Sequence, residues 1–529
     1  MTFEKYIEKM SLRDMVSHLL CPAVRATYRE GSDTFEYYDG FFTDPTVKPG
    51  TIFFFPSKKE DMQQLAKRVY KNFGEDLLIV MDMETSPSCI AGCTEFGSAM
   101  AISAANSAED AYICGRACAQ EGAQCGVNWS FGPVCDLNLN PKNPITNIRS
   151  WGDDADHVIE LTRAYIKGMR DFGMLAAPKH FPGDGVDQYD QHLLTTVNSL
   201  SREEWMNSYG KVWKALIDSG VRTIMPGHIA LPAFEEDNAI IPATASYSLL
   251  TTLLRNTLGF DGLIVSDAIS MGGIMGQYPL DDCYINMINA GCDVILFPNI
   301  MDDCSHIADV LEAAVNTGKI SIERIKNAIF HIWQEKNTLG LFDKKPEFKE
   351  VSPEDKALFK EVAARIAKNS IVIHKNEENL LPLNKDKIKK VISVDITNAE
   401  GPVENLLDKQ LIANGIQVEK FGEHTENGVV STPLLPSADL IILNFYYGHV
   451  WGSNHIEPCG KQLQHIFRYI LLSKRPVVAV CHGNPYITKL FPYMKTVVNT
   501  FSAKDLDGEA LYNVLFGLEQ AKGVSPVKL

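Results

Sequence analysis

A chain of 529 residues is too long for one ordinary hydrophobic core, and 45% apolar with 22% charged residues is the composition of a globular protein, not a disordered or fibrous one. A net charge of −16 argues against a nucleic-acid partner, whose phosphates would call for clustered Lys and Arg. No apolar run reaches the roughly 18 residues of a membrane span, and Glu4, Lys5, Glu8, Lys9, Arg13 and Asp14 break up the first 20 residues, unlike a secretory signal.

Short apolar or β-branched runs recur at 19–24, 51–55, 77–82, 128–135, 175–180, 223–228, 263–267 and 294–297. Amphipathic segments at 61–73, 108–124, 156–172, 202–219 and 246–258 lie between them. Eight such βα units predict a (β/α)8 TIM barrel over residues 1–340. Several runs stop at ionisable residues: Asp82, Asp136, Lys179 with His180, His228 and Asp267. In a parallel barrel these ends open onto one face, where catalytic side chains are carried.

Residues 341–354, rich in Lys, Glu and Pro, read as a linker. Residues 355–529 begin with a helix and continue with apolar runs at 370–374, 391–395, 416–421, 440–445, 477–481 and 497–501, the pattern of a smaller parallel α/β sandwich domain. It has no glycine-rich phosphate loop, and the chain has no repeat of fixed period.

Twelve cysteines lack a disulfide-framework spacing and read as reduced, buried thiols of a cytoplasmic protein. Cys89 with Cys93 and Cys114 with Cys118 have a spacing that can bind metal, but no neighbouring His or Cys completes a set, so no metal and no cofactor is expected.

The most specific local pattern is Lys179-His180-Phe181-Pro182-Gly183-Asp184-Gly185, followed by Asp190-Gln191-His192. Adjacent strand residues point to opposite sides, so at least one of Lys179 and His180 faces the site, and both do if the strand breaks at Pro182. An Asp two residues before a His can fix the imidazole tautomer and stabilise its protonated form, as an alternating acid and base requires. A solvated surface pair is the bland alternative. A second pattern, Gly259 to Asp267 with Met271 beyond it, delivers Asp267 at a strand end as either a nucleophile or a helix N-cap.

Together these stretches resemble glycoside hydrolase family 3, in its β-N-acetylglucosaminidase branch. That branch is marked by a KH(F/S)PG motif, an Asp-(Ser/Thr)-His dyad and an SDxxxM nucleophile segment. Asn138-Leu139-Asn140-Pro141, Asn147 to Asp153, Pro242 to Ser246 and Ala290-Gly291-Cys292-Asp293 add to the likeness, which spans residues 10–341 and continues more weakly beyond. The resemblance implies a retaining β-N-acetylhexosaminidase that releases terminal β-linked N-acetylglucosamine from a small carbohydrate substrate. By it, Asp267 is the nucleophile, His192 the acid/base and Asp190 its partner, while Asp82, Arg149, Lys179 and His180 hold sugar hydroxyls.

Two departures stand out. Gln191 replaces the usual Ser or Thr of the dyad, and the segment after Asp82 reads Met83-Glu84-Thr85-Ser86-Pro87-Ser88-Cys89-Ile90, without the two glycines and two arginines usual there. The glycone is therefore left open between N-acetylglucosamine and glucose, glucosamine or a modified hexosamine. A β-glucosidase, a glycoside phosphorylase and a non-catalytic sugar-binding homologue are the competing readings.

Overall fold

The computed structural model describes residues 1–25, 46–297, 304–398, 403–423, 437–458, 460–467, 469 and 473–529. It divides into two compact units. One comprises Met1–Glu95, Ala111–Leu137 and Ala155–Phe359; the other Phe96–Asp110, Asn138–Asp154 and Lys360–Leu529.

In the first unit the predicted apolar runs form parallel strands. Ile295–Phe297, Leu20–Val24, Thr51–Phe54, Leu78–Met81, Trp129–Ser130 and Leu175–Ala176 are hydrogen-bonded in that order. Leu263–Ile264, Thr223–Pro226 and Lys179–Phe181 form a second parallel set. Every residue of Leu20–Val24, Thr51–Phe54, Leu78–Met81 and Thr223–Pro226 is buried. Burial on both faces explains why these strands read as continuous apolar runs with no alternation.

The helices between them bury one stripe each. Ala155–Asp171 turns Val158, Leu161, Thr162, Tyr165, Ile166 and Met169 inward, at the three- and four-residue spacing of one helical face. Arg202–Asn207 starts at a capping box, in which Ser201 accepts from the Glu204 backbone while the Glu204 side chain accepts from Ser201. The segment predicted as a helix at 246–258 winds as a π-helix over Ser248–Thr257. Residues 345–352 carry no regular element. Among the described residues no helix is long and apolar enough to cross a membrane.

The second unit is built on a six-stranded sheet in the order Val372–Asn376, Thr496–Asn499, Val477–Gly483, Leu440–Tyr447, Lys390–Thr397, Gln417–Glu423. Five strands are parallel, but Val372–Asn376 pairs antiparallel with Thr496–Asn499, so the wholly parallel reading is corrected at this edge. Val391, Leu440, Val478 and Val498 pack into one apolar cluster, and Ile392, Ile441, Ala479 and Val497 into another. Neighbouring residues thus feed opposite faces, as a sheet covered on both sides requires. The excursions 96–110 and 138–154 join this unit through Met100, Ala101, Ala104 and Ile148, which cluster with Tyr486, Phe501 and Val527.

Candidate active site

The carboxyl ends of the first unit's strands gather ionisable side chains. Lys179, at the start of its short strand, is 5% exposed at the side chain and lies between two carboxylates, with Nζ 2.7 Å from Asp82 Oδ1 and 2.9 Å from Glu84 Oε1. His180 turns to Asp136: its Nδ1 is 2.7 Å from Asp136 Oδ2, and its backbone N–H donates to Oδ1 at 3.2 Å. Both residues of the Lys-His pair therefore engage the site's carboxylates, and the peptide bond between them is cis.

After His180 the chain turns through Pro182, Gly183 and Gly185. Gly183 has φ +133°, and a Cβ there would fall 2.0 Å from the Tyr209 ring; at Gly185, φ +99°, it would fall 2.0 Å from the Leu137 carbonyl oxygen. Only glycine fits either place. Asp184, between them, donates its backbone N–H to Asp136 Oδ1 at 2.7 Å. Asp136 thus ties the turn and His180 together.

The dyad follows. Asp190 is fully buried, and its Oδ1 accepts the His192 backbone N–H at 2.9 Å and meets His192 Nδ1 at 2.6 Å, while the His192 side chain is 27% exposed. Holding Nδ1 as the protonated nitrogen leaves Nε2 as the one that can exchange a proton.

Asp267 follows the strand Leu263–Ile264, with its backbone N–H on the Pro226 carbonyl at 3.2 Å. Its Oδ1 accepts from Ala268 N at 2.8 Å, whereas Oδ2 has His180 Nε2 at 4.0 Å, beyond hydrogen-bonding reach. Burial works to raise this carboxyl, but the charges around it, His180 first with His192 and Lys179, outweigh burial and hold it below the ordinary value. An ionised carboxylate with one oxygen tethered and the other open is what a nucleophile needs.

His228 stands beside it, with Nδ1 2.7 Å from Thr244 Oγ1 and Nε2 2.9 Å from the Ala268 carbonyl. A carbonyl can only accept, so Nε2 carries the hydrogen and Nδ1 accepts from Thr244. Burial pushes the His228 imidazolium pKa down, against the opposing pull of Asp267, which agrees with a neutral ring. The backbone closes the arrangement: Gly272 N–H donates to the His192 carbonyl at 2.8 Å and Gly273 N–H to that of Gln191 at 3.1 Å. The loop after Asp267 is thereby fastened to the dyad loop.

Of the residues singled out in the sequence, Asp82, Lys179, His180, Asp190, His192 and Asp267 come together here. Arg149 belongs to the second unit, where its Nη1 donates to the Ile145 carbonyl at 3.2 Å and its guanidinium lies 4.7 Å over the Trp451 ring. Glu84, on Lys179, was not singled out from sequence, although it stands two residues after Asp82 at the end of the same run. Asp136 and His228 stand at strand ends, and the sequence alone assigns them no role. Where two arginines are usual, the chain makes the 3-10 turn Pro87–Cys89 and the short strand Ile90–Ala91, paired with Ser57–Lys58. Among the described residues no cluster of His, Cys, Asp or Glu could hold a metal ion.

A carboxylate, an Asp–His pair and a lysine between acceptors, gathered where parallel strands end, are the groups that nucleophilic and acid–base chemistry on a hydroxyl-rich substrate requires. The comparisons narrow this class. The profile described as "Glycosyl hydrolase family 3 N terminal domain" matches residues 50–334. A curated "Beta-N-acetylglucosaminidase/beta-glucosidase" of Cellulomonas fimi is 32% identical over 486 residues, covering 85% of this chain and 83% of its own. The chain belongs to glycosyl hydrolase family 3. Its structure is similar to a β-glucoside phosphorylase, BglX, bound to 2FGlc, at TM-score 0.89 and 28% identity, covering 99% of this chain and 96% of that one. It is also similar to a family 3 β-N-acetylglucosaminidase from Paenibacillus sp. str. FPU-7, at TM-score 0.85 and 25% identity, covering 98% and 99%.

Proposed function

We propose that this family 3 glycosidase is a retaining exo-β-N-acetylhexosaminidase that hydrolyses terminal β-linked N-acetylglucosamine through a glycosyl-Asp267 intermediate. The observation that carries the reading is the Asp190–His192 pair, 2.6 Å apart, fastened by its backbone to the loop that follows Asp267. Asp267 Oδ2 attacks the anomeric carbon as the bond to the leaving oxygen breaks, and His192 Nε2 gives that oxygen its proton. Neutral His192 then takes a proton from water, whose oxygen displaces Asp267 and restores the carboxylate. Asp82, Glu84, Lys179 and His180 hold glycone hydroxyls, the carboxylates accepting and the lysine donating. For Arg149 the support is the family resemblance alone, and a raised KM with kept kcat in Arg149→Lys is the expected outcome.

The names of the Cellulomonas and Paenibacillus relatives support the N-acetylglucosaminidase assignment. Parallel bridges at Val134–Lys179 and Val265–Val294 join the two strand sets and support their closure into an eight-stranded barrel. Eleven described cysteines are free, in keeping with a cytoplasmic setting, which fractionation of the producing cells tests.

One observation favours a second reading, phosphorolysis. The proposed acid/base is an imidazole, neutral after the first step, so it repels an incoming phosphate less than a carboxylate would, and the similar BglX structure is titled a β-glucoside phosphorylase. A panel of nitrophenyl glycosides, run with and without inorganic phosphate, separates the readings. Hydrolysis of the N-acetylglucosaminide at a phosphate-independent rate supports the proposal; preference for the glucoside overturns the glycone, sugar 1-phosphate overturns hydrolysis, and no turnover of any substrate leaves a sugar-binding homologue.

A further inference from the structure

We propose that Gln191, the residue that departs from the family's Ser or Thr, is a positioning residue setting the register between the acid/base loop and the nucleophile. The inference rests on the reading of His192 as the acid/base. Gln191 lies between Asp190 and His192 and is 1% exposed. Its Oε1 accepts the His228 backbone N–H at 2.8 Å, and its Nε2 faces Asp184 Oδ2 at 3.5 Å. Its backbone carbonyl accepts from Gly273 at 3.1 Å.

One residue therefore touches three elements. His228 is joined through its ring to the Ala268 carbonyl, one residue past Asp267. Asp184 leads through its N–H to Asp136 and so to His180. Gly273 follows the nucleophile loop. The surroundings are close on both the side chain and the backbone: a Cβ on Gly227 would come 2.8 Å from Gln191 Oε1, and one on Gly273 would come 2.7 Å from the Gln191 carbonyl oxygen.

A Ser or Thr hydroxyl ends one atom beyond Cβ, whereas the Gln carboxamide ends three atoms beyond it, so the His228 N–H and Asp184 lie outside the reach of the family's usual residue. Removing the carboxamide leaves a buried N–H without its acceptor and loosens the loop that aims His192. Misplacement of a proton donor by about 1 Å costs on the order of 100-fold, and only where the leaving group needs the proton.

The test is kcat/KM, which reports the first chemical step, for β-glycosides graded from dinitrophenyl to alkyl leaving groups, in wild type, Gln191→Ala, Gln191→Ser and His192→Ala. For both Gln191 variants the expected loss is about tenfold or more with alkyl glycosides and under about threefold with dinitrophenyl glycosides, while the melting temperature shows the fold intact. Gln191→Glu should recover toward wild type as pH falls, since a protonated carboxyl can again donate to Asp184. Equal losses for all leaving groups, or no loss, overturn the inference if His192→Ala shows the leaving-group dependence. If His192→Ala shows none, the acid/base reading falls and this inference with it.

Discussion

Two aspartates, the half-buried Asp267 and the fully buried Asp293, flank neighbouring strands of the first unit, and each is surrounded by cationic or ionisable partners. Asp293 is fully enclosed: Arg255 and Arg324 donate to it at 2.8 Å each, His331 Nδ1 lies at 3.0 Å, and the Ile264 backbone N–H donates at 2.9 Å. Burial would raise its carboxyl, but His331, Arg255 and Arg324 drive it far below the ordinary value. Asp267 is also held low, yet among the described residues its direct hydrogen bonds are the Ala268 N–H to Oδ1 and its own N–H to Pro226, and its side chain keeps 13% exposure. Both surroundings favour the ionised carboxylate; Asp293 is saturated with donors, whereas Asp267 keeps one oxygen for the attack proposed above.

The largest expected effect falls on Asp267. Asp267→Asn should lower kcat/KM by a factor on the order of 10⁴ or more, measured on aryl glycosides, with stability within about 1 kcal/mol of wild type. Comparable activity in this variant would dissolve the distinction. Asp293→Asn should do the reverse: denaturant unfolding should show a loss of about 3 kcal/mol, because the half-buried Arg255 and Arg324 are left without their anion, while the molecules still folded keep their activity.

In the second unit a buried histidine makes stability depend on pH. Burial alone pushes His482 down to about 3. Its unfolded value is near 6.5, so from there downward the unfolded chain binds a proton that the folded chain refuses. The stability from its neutral, buried form is fully present above about 6.5 and is lost toward about 3, with a slope of about 1.4 kcal/mol per pH unit. Denaturant midpoints between pH 7 and 4 should fall, and less steeply in His482→Gln. Equal slopes in the two proteins would remove His482 as a cause.

Much of this was legible in the sequence because the signals are local. A strand buried on both faces is a run of apolar residues, so all eight runs of the first unit appear as strands or as the two halves of one. Asp190 and His192 meet because they are two residues apart on one loop. The antiparallel edge at Val372–Asn376 was not legible, since hydropathy is the same for either strand direction. Nor was the role of Glu84, which depends on a lysine from another strand, or that of Asp136, which appears only when His180 turns toward it. The excursion 138–154 gives no composition signal of its own; Asn138 finds the Tyr486 hydroxyl across 348 residues of chain.

The most direct test is to incubate the enzyme with an activated 5-fluoro-β-glycoside of whichever sugar it turns over, which keeps the substituent at C2, then map the modified peptide by mass spectrometry. The expected result is one glycosyl group per chain, bound as an ester to Asp267, with activity lost in step. An adduct on another residue, or full inactivation with no covalent sugar, would contradict it.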